Sequence, residues 1–360
     1  MRTLHFSGTP RAIGQAFGER CRDEIAEFYG LRVANAIDQA KKHGGRDVGE
    51  EALLGVARAC LEPTRAYHPE GFEELAGIAE GAGMTVEQIL AMNGLTDLRD
   101  VLAWSGELEA FGGCSSFVIE GGMTASGRAL CGQSWDLATD NMPFVCVVHR
   151  RPEGGPETWS LTTVGCLTLI GINDAGIAVG TTNVRTVDAR PGVTYLSILH
   201  KALAAREFDA AVAAVTEAHR AGAHYYYLVD GTGQIATLEC SARAAARVEL
   251  ADGFHVHCNH CQVPKNALIE GSTPSASSHR RQARMTELIE AGRGRLDIAA
   301  MQAALADHEN GEDAICRHDY AGISSNGAVI MDPGAPAAVA CHGPPCGAEW
   351  IDMLATATAR

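Results

Sequence analysis

The stretch Phe111-Gly112-Gly113-Cys114-Ser115-Ser116-Phe117-Val118-Ile119-Glu120-Gly121-Gly122 divides the chain into two textures. Two glycines lead into a thiol that opens a short β-rich run, and a second glycine pair ends it. Arg128-Ala129-Leu130-Cys131-Gly132-Gln133 then returns as a partner strand, so the spacing predicts a hairpin. A thiol that follows backbone free to take strained or positive-φ conformations lies within reach of the preceding carbonyl. Attack of Cys114 on the Gly113 carbonyl would form a thioester, and water would then release the upstream chain. Cys114 would be left with a free α-amino group, whose reference pKa of about 7.7–8.0 lets it act as a base near neutral pH. Composition alone offers a plainer reading, because free cysteine is among the most buried residue types.

Upstream, apolar residues recur at helical spacing over Pro10–Tyr29, Glu50–His68 and Gly71–Asn93. Gly83 is placed to end one helix, and Thr85 with Gln88 forms a capping-box start for the next. Downstream, strand-like runs at Phe144–His149, Trp159–Thr163, Leu167–Ile172, Gly176–Thr182, Tyr225–Asp230, Gln234–Cys240 and Phe254–Cys258 are followed by Ile323–Met331. Helical spacing interrupts them at Leu196–Ala205, Phe208–Ala221, Ser278–Ala291 and Leu296–Ala306. Runs of strands followed by helix pairs predict antiparallel sheets covered by helices, an α+β layered sandwich.

With 46% hydrophobic and 20% charged residues, the 360-residue chain has the composition of a globular protein with a full core. A formal net charge of -15 repels phosphates and anionic lipid, so neither nucleic acid nor membrane is an expected partner. The opening Met1–Pro10 has no apolar core of a leader and no later run approaches a membrane span, which places the protein in the cytoplasm. Its 12 cysteines are spread over a long chain, unlike a secreted disulfide scaffold, and are expected to be mostly reduced and buried.

Several blocks occur in an order that gives them meaning together: Gly8–Gly14 through Gly18-Glu19, Glu74–Gly83, Gly113–Ser116 with Trp135-Asp136, Gly171–Gly176 leading to Asn183, His257–His260, and Ala314–His318. In them the chain resembles the acyl-coenzyme A:6-aminopenicillanic acid acyltransferase family, a branch of the Ntn hydrolases, and more distantly the choloylglycine hydrolases. The resemblance implies a four-layer αββα sandwich with a helical N-terminal segment. It also implies a precursor cut before Cys114 into segments 1–113 and 114–360 that stay associated.

Hairpin pairing brings Asp136 back toward Cys114. In the family this acid holds the freed α-amino group and the nucleophile; otherwise it is an aspartate capping a turn. The choloylglycine relatives carry an arginine where Gln133 falls here, so one positive charge is missing. Asn183 and Asn259 follow apolar strand runs and can donate through uncharged amides, and the resemblance maps both to the oxyanion side. Asn259 has the closer flanks in His257 and His260, while Asn183 is equally read as a turn former. Arg317 falls on the family's site arginine, with a surface salt bridge as the alternative. Gln133, Trp135, His257 and His260 are assigned to the substrate pocket.

No metal is expected. The Cys and His residues of His255–Cys261, taken with Cys341, His342 and Cys346, are suitable ligand types but lack a paired knuckle, and strand alternation splits them between faces. No glycine loop has the context of a nucleotide site. These residues together predict a self-processing cysteine amidohydrolase acting on a small-molecule amide, without cofactor. The alternative is an N-acyltransferase, for which acyl-CoA would be a co-substrate, and an inert or metal-binding homologue is the third reading. A homo-oligomer is compatible with all three.

Overall fold

The computed structural model describes residues 1–44, 48–102, 113–271 and 275–355. Strand β1 (Thr3–Gly8) is followed by six helices: α1 (Pro10–Arg20), α2 (Arg22–Gly44), α3 (Glu50–Tyr67), α4 (Pro69–Ala82), α5 (Val86–Asn93) and α6 (Leu95–Leu102). The local signals act where they are expected. Gly83 ends α4 at φ 71°, and the Thr85 and Gln88 side chains cap α5 reciprocally. The helical run from Pro10 breaks at Cys21, which separates α1 from α2.

Helices α1 and α4 touch backbone to backbone. A Cβ on Gly14 would lie 2.1 Å from the Glu74 carbonyl oxygen, and one on Gly77 would lie 2.2 Å from that of Arg11. The glycine blocks near both positions thus have a packing cause, since only a hydrogen fits at the crossing.

After residue 113 come β2 (Ser115–Ile119), β3 (Leu130–Ala138), β4 (Val145–Pro152), β5 (Thr158–Thr163), β6 (Ile170–Asn173) and β7 (Ile177–Asn183). Helices α7 (Tyr195–Leu203) and α8 (Phe208–Thr216) precede β8 (His224–Asp230), β9 (Ile235–Cys240), β10 (Ala245–Arg247) and β11 (Phe254–His257). The chain continues through α9 (Pro264–Ala267), α10 (Ala276–Ala291), α11 (Ile298–Leu305), β12 (Ile323–Asp332), β13 (Ala337–His342) and β14 (Trp350–Asp352). An eight-stranded sheet has the order β1-β4-β5-β6-β7-β8-β9-β10, and a six-stranded sheet the order β11-β2-β3-β12-β13-β14.

Period-two alternation sorts the side chains of the smaller sheet. Val118, Cys131, Val329 and Met331 join Ile177, Val179 and Leu228 of the larger sheet in one core. Phe117, Ile119, Ala328 and Ile330 turn the other way, onto Met285, Ile289, Met301 and Leu305 of α10 and α11. Helices α7 and α8 pack on β6, β7 and β8. The layers are therefore helix, sheet, sheet, helix, an α+β sandwich.

The segment before the hairpin is more than helical. Strand β1 pairs in parallel with β4, from Thr3 opposite Val147 to Gly8 opposite Pro152, and Leu4, Ile13, Phe17 and Ile25 share the central core. Strands β1, β10, β13 and β14 are absent from the sequence reading. Strands β10 and β14 span three residues each and β13 is rich in alanine, so little in their sequence announces them.

Candidate functional site

Cys114 lies at the mouth of the β2–β3 hairpin. Ser115 faces Ser134 across the ladder, which carries Gly113 opposite Asp136, and the Gly113 N–H donates to the Asp136 carbonyl at 3.2 Å. The Cys114 N–H leaves the ladder and donates to Oδ1 of Asn259 at 2.8 Å. Asn259 is held in turn: its Nδ2 donates to the Asn183 carbonyl at 2.9 Å, and its own N–H to the Ser278 hydroxyl at 2.8 Å. In this chain Asn259 thus meets Cys114 as an acceptor, whereas the sequence reading assigns it a donor's task. Asn183 ends β7 and lines the pocket in front of Cys114, with its Oδ1 buried and unpartnered among the described residues.

Gly113 was expected to supply a strained or positive-φ backbone, and it is not among the positive-φ glycines. Its lack of a side chain is what the site uses. A Cβ there would stand 2.5 Å from Nη1 of Arg317 and 3.2 Å from Nη2 of Arg281. Gly112 lies outside the described residues.

Arg281 is the residue that the sequence reading missed. Its Nη1 donates to the Cys114 carbonyl at 2.5 Å and to the Ser115 hydroxyl at 3.1 Å, its Nη2 to Asn259 Oδ1 at 3.1 Å, and its Nε to the Ser277 hydroxyl at 3.1 Å. The signal was present on α10, where Ser278, Arg281, Met285 and Ile289 form the buried stripe and an arginine sits among core positions. Arg317 approaches Gly113 from the segment before β12, and its Nε is buried without a partner among the described residues. Burial holds its guanidinium below the usual arginine range, against the attraction of Asp136.

Asp136 is buried with Oδ1 accepting from the Ser325 hydroxyl at 2.7 Å, while Oδ2 has no partner among the described residues. Burial lifts its carboxyl to about 6, opposed by Arg281 and Arg317. Burial, with the Asp136 charge second, pushes the Cys114 thiol up to about 12. Near neutral pH the Cys114 side chain is therefore a neutral thiol.

The pocket in front of Cys114 is walled by Trp135, Leu137, Leu169, Tyr195, His224 and Arg32. Arg32 comes from α2, and its Nε is buried and unpartnered among the described residues. A larger cavity bordered by His68, Glu74, Arg150 and His200 contains no thiol, and its Glu74 is paired with Arg150 at 2.7 Å.

Of the four residues assigned to the substrate pocket, the structure brings only Trp135 to it. Gln133 spans the two sheets, its Nε2 donating to the Thr181 carbonyl at 2.8 Å and its Oε1 accepting from the Thr181 N–H at 2.9 Å. His257 is fully buried, stacked on Tyr225 and within 3.2 Å of Glu239 through Nε2. His260 faces the Ser278 hydroxyl at 2.7 Å, with its imidazole lowered to about 4 by burial and by His279. Inward-pointing polar side chains on a two-sheet core look alike in sequence whether they face a pocket or a hydrogen-bond partner.

Residues 123–331 match the model of the acyl-coenzyme A:6-aminopenicillanic acid acyl-transferase family. The chain belongs to this family. It is similar to the 40 kDa form of acyl-coenzyme A:6-aminopenicillanic-acid-acyltransferase of Emericella nidulans, with 27% identity over 315 residues that cover 86% of this chain and 83% of the relative. Among solved structures, a mutant conjugated bile acid hydrolase from Clostridium perfringens matches with a TM-score of 0.46 and 12% identity, over 67% of this chain and 92% of that one. Penicillin V acylase from Agrobacterium tumefaciens matches with a TM-score of 0.41 and 17% identity, over 67% and 86%. As a member of this family, the chain is an enzyme of the acyl-transferring kind that the family's description names. None of its described helices is long and apolar enough to cross a membrane.

Proposed function

We propose that the chain is a self-processing amidohydrolase whose nucleophile is Cys114, set free when the Gly113–Cys114 bond breaks. The observation that carries this reading is the bond from the Cys114 N–H to Asn259 Oδ1, beside an Asp136 whose Oδ2 is unpartnered. A strand-end amide N–H is ordinarily left to a ladder partner or to solvent. Here it already has the acceptor that a freed α-amino group would keep, and Asp136 Oδ2 supplies a second.

In self-cleavage the Cys114 sulfur adds to the Gly113 carbonyl carbon and the C–N bond breaks. The thiol proton ends on the departing Cys114 nitrogen, and water then splits the thioester, leaving a Gly113 carboxylate and the thiol. In turnover the α-amino group takes the thiol proton as sulfur attacks a substrate amide, and passes it to the leaving amine. Asn183 and the second hydrogen of Asn259 Nδ2 are the donors at hand for the oxyanion. Water then hydrolyses the acyl-enzyme.

Segments 1–113 and 114–360 stay together in this reading, because β1 is built into the larger sheet and Arg32 and Thr96 form part of the pocket wall. A small-molecule amide fits the pocket, and Arg32 favours one carrying an anionic group. The overall acidic charge of the chain does not describe this pocket. Transfer of the acyl group to an amine is the second reading, favoured by the acyltransferase named as a relative. Twelve free cysteines support a reducing compartment, the cytoplasm. Intact mass under denaturing conditions tests the proposal: fragments ending at Gly113 and beginning at Cys114 are expected, and an uncut chain in Cys114→Ala. A fully active, uncut wild-type chain would overturn it.

A further inference from the structure

Away from the pocket, four metal-ligating side chains converge from three separate segments. His308 follows α11, Cys316 and His318 flank Arg317 on the approach to β12, and Cys346 lies between β13 and β14. Their ligand atoms all lie within 4.8 Å of one another. Nε2 of His318 is 3.0 Å from Nε2 of His308, 3.2 Å from Sγ of Cys346 and 3.9 Å from Sγ of Cys316.

We propose that His308, Cys316, His318 and Cys346 form a structural zinc site. Tetrahedral zinc binds thiolate sulfur at about 2.3 Å and imidazole nitrogen at about 2.0–2.1 Å, which places neighbouring ligand atoms roughly 3.3–3.8 Å apart. The observed separations need adjustments of an ångström or less to meet that. Two thiolates with two imidazoles are a soft and borderline set, suited to zinc and not to magnesium or calcium. With four protein ligands the shell is closed, so the ion would hold structure and activate no water. On binding, each cysteine gives up its proton and each histidine coordinates as the neutral ring.

The position gives the ion a task. Arg317 stands between two of the ligands, and its N–H donates to the Ser325 hydroxyl at 3.0 Å. The Ser325 N–H returns a bond to the Arg317 carbonyl at 3.0 Å, and the Ser325 hydroxyl donates to Asp136. A metal at the cluster would fasten this segment to the loop carrying Cys346 and so fix Arg317 as a positioning residue behind Gly113. No Cys-x-x-Cys knuckle marks the site, because the ligands meet only through tertiary structure.

The test uses the full chain, purified in reductant, dialysed against excess zinc and freed of loose metal. About one equivalent of zinc per chain is expected by elemental analysis. Cobalt exchanged into the same protein should show the intense visible bands of tetrahedral Co(II) and a thiolate charge-transfer band. Cys316→Ser with Cys346→Ser, and separately His308→Ala at one of the exposed ligands, should lower zinc at least tenfold. Chelator removal from the wild type should increase proteolysis around residues 308–318 and 343–347. Wild-type protein that keeps less than about a tenth of an equivalent and shows no thiolate band overturns the proposal. So does zinc retained in full by the variants, which would place the metal elsewhere. Neither readout depends on cleavage at Cys114.

Discussion

Oδ1 of Asn259 accepts from the backbone N–H of Cys114 and from Nη2 of Arg281, at 2.8 and 3.1 Å. One side-chain oxygen thus joins β2, the loop after β11 and helix α10 at the atom proposed to become the catalytic amine. Replacing Asn259 with Ala removes that acceptor and a donor together. Self-cleavage should slow, so that uncut chain accumulates on gels. In the molecules that do cut, kcat should fall by about 10²–10³ with little change in KM. A variant that loses affinity alone would assign Asn259 to substrate binding.

Asp136 sets a pH dependence. Its negative charge favours the protonated nitrogen that leaves Gly113, so self-cleavage should slow as pH falls through about 6, the value to which burial lifts this carboxyl. The effect on stability has the opposite sense. An unfolded aspartate ionises near 3.9, so between roughly pH 4 and 6 the folded chain holds more protons than the unfolded one, and this residue's contribution to stability declines as pH rises. Asp136→Asn should therefore be more stable than the Cys114→Ala chain at pH 7.5, by about 1–3 kcal/mol in denaturant titrations, while remaining uncut. A less stable Asp136→Asn would mean that the charge is well compensated.

Gly113→Ala tests whether the two arginines need the space. With Arg317 Nη1 2.5 Å from the new methyl group, the guanidinium must move. A displacement of about 1 Å can cost about 10²-fold, and the cleavage time course should slow on that order while circular dichroism is unchanged. Cleavage at the wild-type rate would show that Arg317 has room to yield.

Among the described residues the histidine that lines the pocket is His224, bound through Nε2 to Asp97 at 2.8 Å and stacked on Tyr195. Its Nδ1 is buried and makes no hydrogen bond among the described residues, so His224 is not paired with Cys114. His224→Asn, His257→Asn and His260→Asn should each still form acyl-enzyme detectable by mass, whereas acetylating the Cys114 amine should abolish it. The reverse result, loss in one histidine variant and survival after acetylation, would replace the N-terminal-nucleophile mechanism with a Cys–His one.

Much of the fold was legible because its causes are local. Helical spacing, the Gly83 terminus, the Thr85–Gln88 box and the hairpin that carries Asp136 to Gly113 each depend on residues close in sequence. Cys114, Asp136, Asn183 and Asn259 could be singled out by residue type, position and the collinear blocks. What no local pattern conveys is which partner a buried polar group finds. Gln133, His257 and His260 spend their polar atoms on Thr181, Glu239 and Ser278, a choice made by the stacking of two sheets and by α10. The same packing sends Arg281 to the Cys114 carbonyl and gathers His308, Cys316, His318 and Cys346 from three segments. Sequence determines which residues can form a helix, a strand or a nucleophile, because those depend on backbone propensity and intrinsic chemistry. Tertiary structure alone decides which donors, acceptors and ligands meet, because that depends on distances between elements far apart along the chain.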